Sequence, residues 1–426
     1  MFRLSLLLAL SSLAAAQAPD PARQTELIEK LLQRIDQLEK RVTELETARP
    51  VAAVTTAATT AATTVAIAPP ETALVPAGPM HEHESVGGTP LDAPATSPAL
   101  HLSGFGDINY TASDRPGTHG GFNEGQFILH MSSALSSRVT YFGEVSLTAR
   151  TDAGTGTPPA GGFNVEVERS IIRYDQSDRL KLSFGRYHTP ISYWNTEFHH
   201  GSWLQTTASR PEMVQFGGNF IPVHFVGALG EGATPAGGLN LHYNVGIGNG
   251  RSSVLNRDGD WGDVNNQKAW LANVFIRPDK LYGLQLGGSV YRDKIDVAGR
   301  PQSQEWIESA HVVWNKESPE FIAEFFNITH KQTLTGFISN NQAWYAQFAY
   351  RLPSAEKFKP YYRYEYIHTP LSDAVFRGLN LGLSGSTLGV RYDISSFSAL
   401  KLEYRRQKRP GLPETNIIWA QTSFTF

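Results

Sequence analysis

The sequence predicts an all-β fold: a transmembrane antiparallel β-barrel of about sixteen strands, preceded by a short α-helical coiled coil and a disordered linker. Three observations carry that expectation. From Leu100 onward the chain repeats short runs in which apolar and polar residues alternate at period two, the pattern of a sheet with one apolar face. The gaps between these runs alternate between long and short, as hairpins do at the two ends of a barrel. Beyond the first twenty residues no window of about 18 apolar residues occurs, and mean hydropathy is -0.28. Helices of that composition do not cross a bilayer.

Residues 1–18 read as a secretory signal peptide. Met1-Phe2-Arg3 is a basic start, Leu4 to Leu13 is apolar, and Ala14-Ala15-Ala16-Gln17-Ala18 offers cleavage after Ala16 or Ala18. The apolar run is too short to be a spanning helix. The chain contains no Cys, which excludes a lipidated cysteine, disulfides, thiolate metal sites, a Cys nucleophile and covalently attached haem. No cofactor is expected.

Residues 23–49 read as a coiled coil. Ile28, Leu31, Ile35, Leu38, Val42 and Leu45 are spaced 3-4-3-4-3, an a/d heptad seam. Arg34 can meet Glu39, and Arg41 can meet Glu46, across a parallel interface. β-branched residues at a with Leu at d lean toward two strands, whereas Leu32 at e widens the face and makes three plausible. The alternative is an amphipathic helix lying on the barrel. A partner that already holds the chains together would rescue so short a seam by raising its effective concentration.

Residues 50–99 form an Ala-, Thr- and Pro-rich linker that cannot build a core. The His81-Glu82-His83-Glu84 tract within it has the composition of a divalent-ion chelator. A solvated tether is the plainer reading of four such residues.

The barrel domain is expected over 100–426. Strands are expected near 100–112, 124–135, 138–151, 163–175, 179–187, 222–230, 239–248, 265–277, 281–293, 303–315, 319–331, 340–352, 357–369, 384–393, 397–407 and 415–426. The long gaps are 113–121, 152–162, 249–264 and 370–383; the short ones include 136–137, 176–178, 278–280 and 394–396. The last run, Thr415 to Phe426, places Ile418, Ala420, Thr422, Phe424 and Phe426 on one parity and Gln421, Ser423 and Thr425 on the other. A final strand of this kind ending in Phe resembles those of bacterial outer-membrane proteins.

The longest gap, 188–221, is rich in aromatic and charged residues, and a loop of that length is rarely idle. Glu197, His199, His200, Arg210 and Glu212 are its candidates to face a permeant, since fixed charges at a narrow point set selectivity through local field and desolvation. Any of them could instead brace the loop. His199-His200 lacks a third ligand in view, and adjacent His residues more often point apart, so no metal site is expected.

Strand parity names the expected lumen lining: Glu144, Arg150, Lys181, Arg363, Glu365, Arg391, Lys401, Glu403 and Arg405 all oppose apolar neighbours. A charge on the lipid face would cost about 2–4 kcal/mol near the midplane. Glu166, Glu168, Arg169 and Arg173 keep no single parity, the mark of a bulge. Tyr110, Tyr141, Tyr291, Trp306, Trp344 and Tyr361 are expected to form interface girdles.

The order of coiled coil, linker and sixteen strands resembles the bacterial outer-membrane porins that carry a periplasmic coiled coil, among them the phosphate-selective and dicarboxylate-type trimeric porins. The resemblance covers nearly the whole mature chain. It implies a homotrimer in the bacterial outer membrane, with lipid around it and the coiled coil in the periplasm. The constriction loop of those porins, third among the outer loops, corresponds to 188–221. The chain departs from the phosphate-selective members, whose pores resemble ladders of basic residues: here Arg and Lys are mixed with Glu. Passive diffusion of small polar solutes or ions follows as the expected function.

The alternative is an anchor whose coiled coil binds a periplasmic or cell-wall partner. An enzyme is not expected, because parity gives no Ser–His pair on the barrel and Gly246-Ile247-Gly248-Asn249-Gly250 ends a strand with no helix after it. With 30 basic and 29 acidic residues beyond residue 100, the domain offers no electrostatic trap for nucleic acid.

Overall fold

A computed structural model describes residues 98–149, 163–215, 219–255, 259–260 and 262–426, with Gln37 and Lys40 besides. The expected signal peptide, coiled-coil seam, linker and His81–Glu84 tract lie outside the described residues, as does Arg150.

Sixteen strands close into one barrel. They are β1 (His101–Ser113), β2 (Gly121–Ala134), β3 (Val139–Ala149), β4 (Phe163–Ser177), β5 (Leu180–His188), β6 (His224–Thr234), β7 (Leu241–Asn249) and β8 (Ala269–Ile276). The second half comprises β9 (Leu284–Ile295), β10 (Ser303–Asn315), β11 (Glu320–Gln332), β12 (Ile338–Ala349), β13 (Phe358–His368), β14 (Leu383–Ser395), β15 (Ser398–Lys408) and β16 (Thr415–Thr425). Each pairs antiparallel with its sequence neighbours, and β1 closes on β16 with Gly106 opposite Phe424 and Asn109 opposite Gln421. Closure leaves no strand edge unpaired.

The alternation in the sequence becomes two faces. On β13, Tyr362 and Tyr366 are exposed while Tyr361, Arg363, Glu365 and Ile367 are buried. On β15, Leu400, Leu402 and Tyr404 are exposed and Lys401, Glu403 and Arg405 are buried. Buried charge inside and exposed Leu, Ile, Phe and Tyr outside invert the usual soluble arrangement. An apolar outer wall around a charged interior is the arrangement of a barrel that faces lipid.

Three details differ from the expectation. Strand β6 runs to Thr234 because Glu231 to Thr234 pair with Leu241 to Asn244, so the connection shrinks to 235–240. The loop asymmetry fades in the second half: 333–337 is shorter than 350–357 on the opposite side. The tight turn is closed by Gln332 N donating to Phe337 O, with Gly336 at positive φ. Tyr291 and Tyr361 do not belong to a girdle. Both face inward, where Tyr291 Oη donates to Asp293 and Tyr361 Oη to Glu403. A phenol inside the barrel finds a carboxylate partner that the lipid face cannot supply.

The parity break in β4 is a bulge. Glu144 pairs with Arg169 and Val145 with Val167, leaving Glu168 as the extra residue. Glu166 and Glu168 therefore face inward on one side of the break, and Arg169 and Arg173 on the other.

Candidate functional site

Between β5 and β6 the described residues 189–215 and 219–223 form a segment across the inside of the barrel, as its hydrogen bonds to β1, β10, β11, β13, β14 and β15 require. It leaves and returns through a directly paired residue couple, His188 and His224. It opens with a short helix, α1 (Tyr193–Phe198), whose Ser192 side chain accepts from Asn195 N. Glu324 of β11 receives the start of that helix. Its carboxylate accepts from Tyr193 N at 2.6 Å, Trp194 N at 2.9 Å and Ser192 Oγ at 3.2 Å, and from Tyr345 Oη at 2.8 Å. An anion placed where the first helical N–H groups lack partners is a favourable arrangement.

Beyond α1 the segment turns back toward β1, where Ser202 Oγ donates to Asp107 at 2.8 Å. It then crosses to the β13–β15 wall. Arg391 donates to Trp203 O at 2.7 Å and Gln205 O at 3.1 Å, and Lys401 to Thr207 O at 3.1 Å. Glu403 accepts from Ala208 N at 3.1 Å and Ser209 N at 3.2 Å. Arg363 donates to Thr207 Oγ1, Ser209 O, Ser209 Oγ and Arg210 O at 2.8–3.2 Å. Glu365 accepts from Glu212 N at 2.6 Å, and the Glu212 carboxylate pairs with Arg405 at 3.0 Å and with Arg409.

Six of the charges singled out by strand parity, Arg363, Glu365, Arg391, Lys401, Glu403 and Arg405, thus tie the segment to the wall. Glu144 sits elsewhere, held by Arg169 and by His130 at 3.1 Å. Lys181 lines a separate cavity beside Tyr193 and Thr196 of α1.

The five residues singled out on the segment are not all together. His199, His200 and Arg210 line a cavity of about 610 Å³ shared with Asp107, Gln126, Glu166, Glu168 and Arg186. Glu197 lines a second cavity of about 270 Å³ with Lys181, Arg277 and His311. Burial pushes the Glu197 carboxyl up to about 7, against the opposing pull of Arg277. Glu212 is absorbed by its two arginines. Burial disfavours its ionised form, but Arg405 and Arg409 more than offset this and hold the carboxyl below its ordinary value of 4.5.

The expectation that His199 and His200 point apart is overturned. Their ring centroids are 4.3 Å apart, and both rings approach His188 and His224. The chain turns sharply at the end of α1, where Gly201 N donates to Phe198 O, and this folds both rings back over the base of the segment. Glu168, Arg186, His188 and His224 are the members of this region that strand parity did not select. The bulge hid Glu168, and only the β5–β6 register brings His188 to His224.

No family model and no curated protein matches this chain. Among solved structures it resembles the anion-selective porin from Comamonas acidovorans, at 12% identity and a TM-score of 0.56, covering 78% of this chain and 100% of that one. The barrel has the porin fold. The outer membrane channel DcaP of Acinetobacter baumannii is similar at 15% identity and a TM-score of 0.52, over 78% of this chain and 98% of that one. Salmonella typhi OmpF, in complex with daunomycin, aligns at 11% identity and a TM-score of 0.52, over 77% and 97% respectively.

Proposed function

We propose that the chain is an outer-membrane porin, conducting small hydrophilic solutes or ions passively through a lumen narrowed by the 189–223 segment. The observation that carries this reading is the anchoring of the segment. Backbone groups at 193–194 and at intervals over 202–212 are bonded to charged side chains of the wall, so it stays inside the barrel and leaves a polar cavity beside it. Fixed loops of this kind define an aqueous path without a moving part.

Along the open cavity, Asp107, Glu166 and Glu168 face Arg186 and Arg210. That mixture supports weak charge selectivity toward small polar solutes over a dedicated anion or cation filter. His199, His200 and Arg210 are the proposed constriction residues, with Glu197 acting on the second cavity. A homotrimer joined partly through the 23–49 seam, with that seam in the periplasm, completes the proposal.

Single-channel recording of the purified protein in a planar bilayer tests it. Stepwise openings in multiples of three, with a small reversal potential under a salt gradient, are expected. Removal of residues 19–99 should leave conduction intact. Properly inserted barrels that pass no current would overturn the channel reading and favour an anchor.

A further inference from the structure

His188, His199, His200 and His224 present four ring nitrogens within 4.8 Å of one another, all on buried residues. Two of the residues are the strand ends from which the 189–223 segment departs and to which it returns. The other two lie where α1 folds back over that base. We propose that these four imidazoles form a binding site for one late first-row divalent cation of the zinc class, which clamps the base of the segment.

The dimensions suit such an ion. Four nitrogens about 2.0–2.1 Å from a tetrahedral zinc lie about 3.4 Å apart. Closing the cluster from its present spacing needs each nitrogen to move inward by less than about 1 Å, within the reach of ring rotation. Imidazole is a ligand favoured by zinc, copper and nickel.

The surrounding groups orient the rings as outer-shell partners of metal ligands do. Asn195 Nδ2 donates to Thr189 O and Val223 O, which turns its Oδ1 toward His199 Nδ1 at 2.8 Å. His199 Nδ1 therefore carries the proton, and Nε2 presents its lone pair. Neither ring nitrogen of buried His188 makes a hydrogen bond among the described residues. Glu168 Oε2 lies 2.8 Å from His224 Nε2 and 3.1 Å from His200 Nε2, so a carboxylate already faces the position of the cation. Glu144 Oε2, 3.5 Å from His188 Nε2, supplies a second negative charge.

Arg210, which donates to His199 O and Val214 O, stands beside the cluster with two further arginines. Arg169 is paired with Glu144, and Arg186 with Glu166 at 3.1 Å and Asp260 at 2.8 Å.

The test uses the full, untagged chain in detergent, with His81→Ala and His83→Ala introduced so that the linker tract contributes nothing. After chelator treatment, zinc is titrated calorimetrically and retained metal is measured after dialysis. One zinc per chain is expected, with His188→Ala and His199→Ala each weakening binding about a hundredfold. His242→Ala, away from the cluster, should bind as the parent does. Heat-modifiable gel mobility identifies variants that fail to fold, and cobalt substitution in the parent reports nitrogen coordination without any variant. Absence of stoichiometric zinc, or zinc retained unchanged in folded His188→Ala/His199→Ala protein, would overturn the site. The measurement does not depend on conduction, so its outcome is separable from the porin reading.

Discussion

Replacing Arg363 with Met is expected to loosen the 207–210 part of the interior segment while leaving the barrel closed. The Arg363 guanidinium makes four hydrogen bonds to that part, to Thr207 Oγ1, Ser209 O, Ser209 Oγ and Arg210 O, and two more to Glu365 and Gln347 of the wall. Met keeps the stem volume but supplies no donor, so the loop acceptors lose their partners inside the protein. Removing one member of a buried charged network typically costs about 3–5 kcal/mol. Glu403 and Lys401 still hold the same residues, which places the local cost nearer the lower bound.

About 3 kcal/mol corresponds to about a hundredfold rise in the population of the detached state. Bilayer recordings should then show added current noise and brief higher-conductance bursts, and limited proteolysis should cut near 207–210 faster. Retained heat-modifiable mobility would show that the barrel itself is intact. Identical noise, conductance and cleavage in a folded Arg363→Met protein would refute the claim that this arginine anchors the segment.

Glu324→Gln should detach the start of α1. Either orientation of the new amide sets an N–H group against at least one of the present donors, at a cost of about 1–3 kcal/mol, read as faster proteolysis within 192–198. Glu197, raised to about 7 by burial, should make stability fall as pH rises from the ordinary carboxyl range through about 7, since ionising it inside the fold is unfavourable there. Glu197→Gln should flatten that slope in a thermal-unfolding series. Glu212 has the opposite sign: its carboxyl lies below 4.5, so its pairing with Arg405 and Arg409 is complete above that value. The pairing is lost as pH falls through the lower folded value, and Glu212→Gln, which lacks that charge pairing at every pH, should show the same current noise already at neutral pH. Gly104→Ala should unseat the last ring, because a Cβ there would meet Phe426 Cζ at 2.6 Å and the Ile128 carbonyl oxygen closer still. Slower barrel refolding is the expected readout.

Sixteen strands and the faces of Arg363, Glu403 and Tyr404 were legible because a period of two forces side choice at every residue. The length and composition of the 188–221 gap also marked the interior segment in advance. What those charges bond to was not legible. Glu324 meets Tyr193 and Glu403 meets Ala208 across the full width of the barrel, and no local pattern carries a contact of that separation. The inward tyrosines Tyr291 and Tyr361 were misplaced by residue type, although the parity of Arg363 and Glu365 already placed Tyr361 with them. The histidine cluster was half visible as His199-His200. Its other half needed the register that sets His188 opposite His224.

The bulge opposite Glu144 acts as a change of phase within β4. Before it, even-numbered residues such as Glu166 face inward; after it, odd-numbered ones such as Arg169 and Arg173 do. A wall written in two phases tolerates substitution well and changes of length badly. Losing one residue between Phe163 and Val167 would turn part of that stretch over, presenting carboxylates to lipid and apolar groups to water. Losing Glu168 itself would merge the phases into one continuous ladder. The residue the pairing can spare is the one that holds His200 and His224 in place.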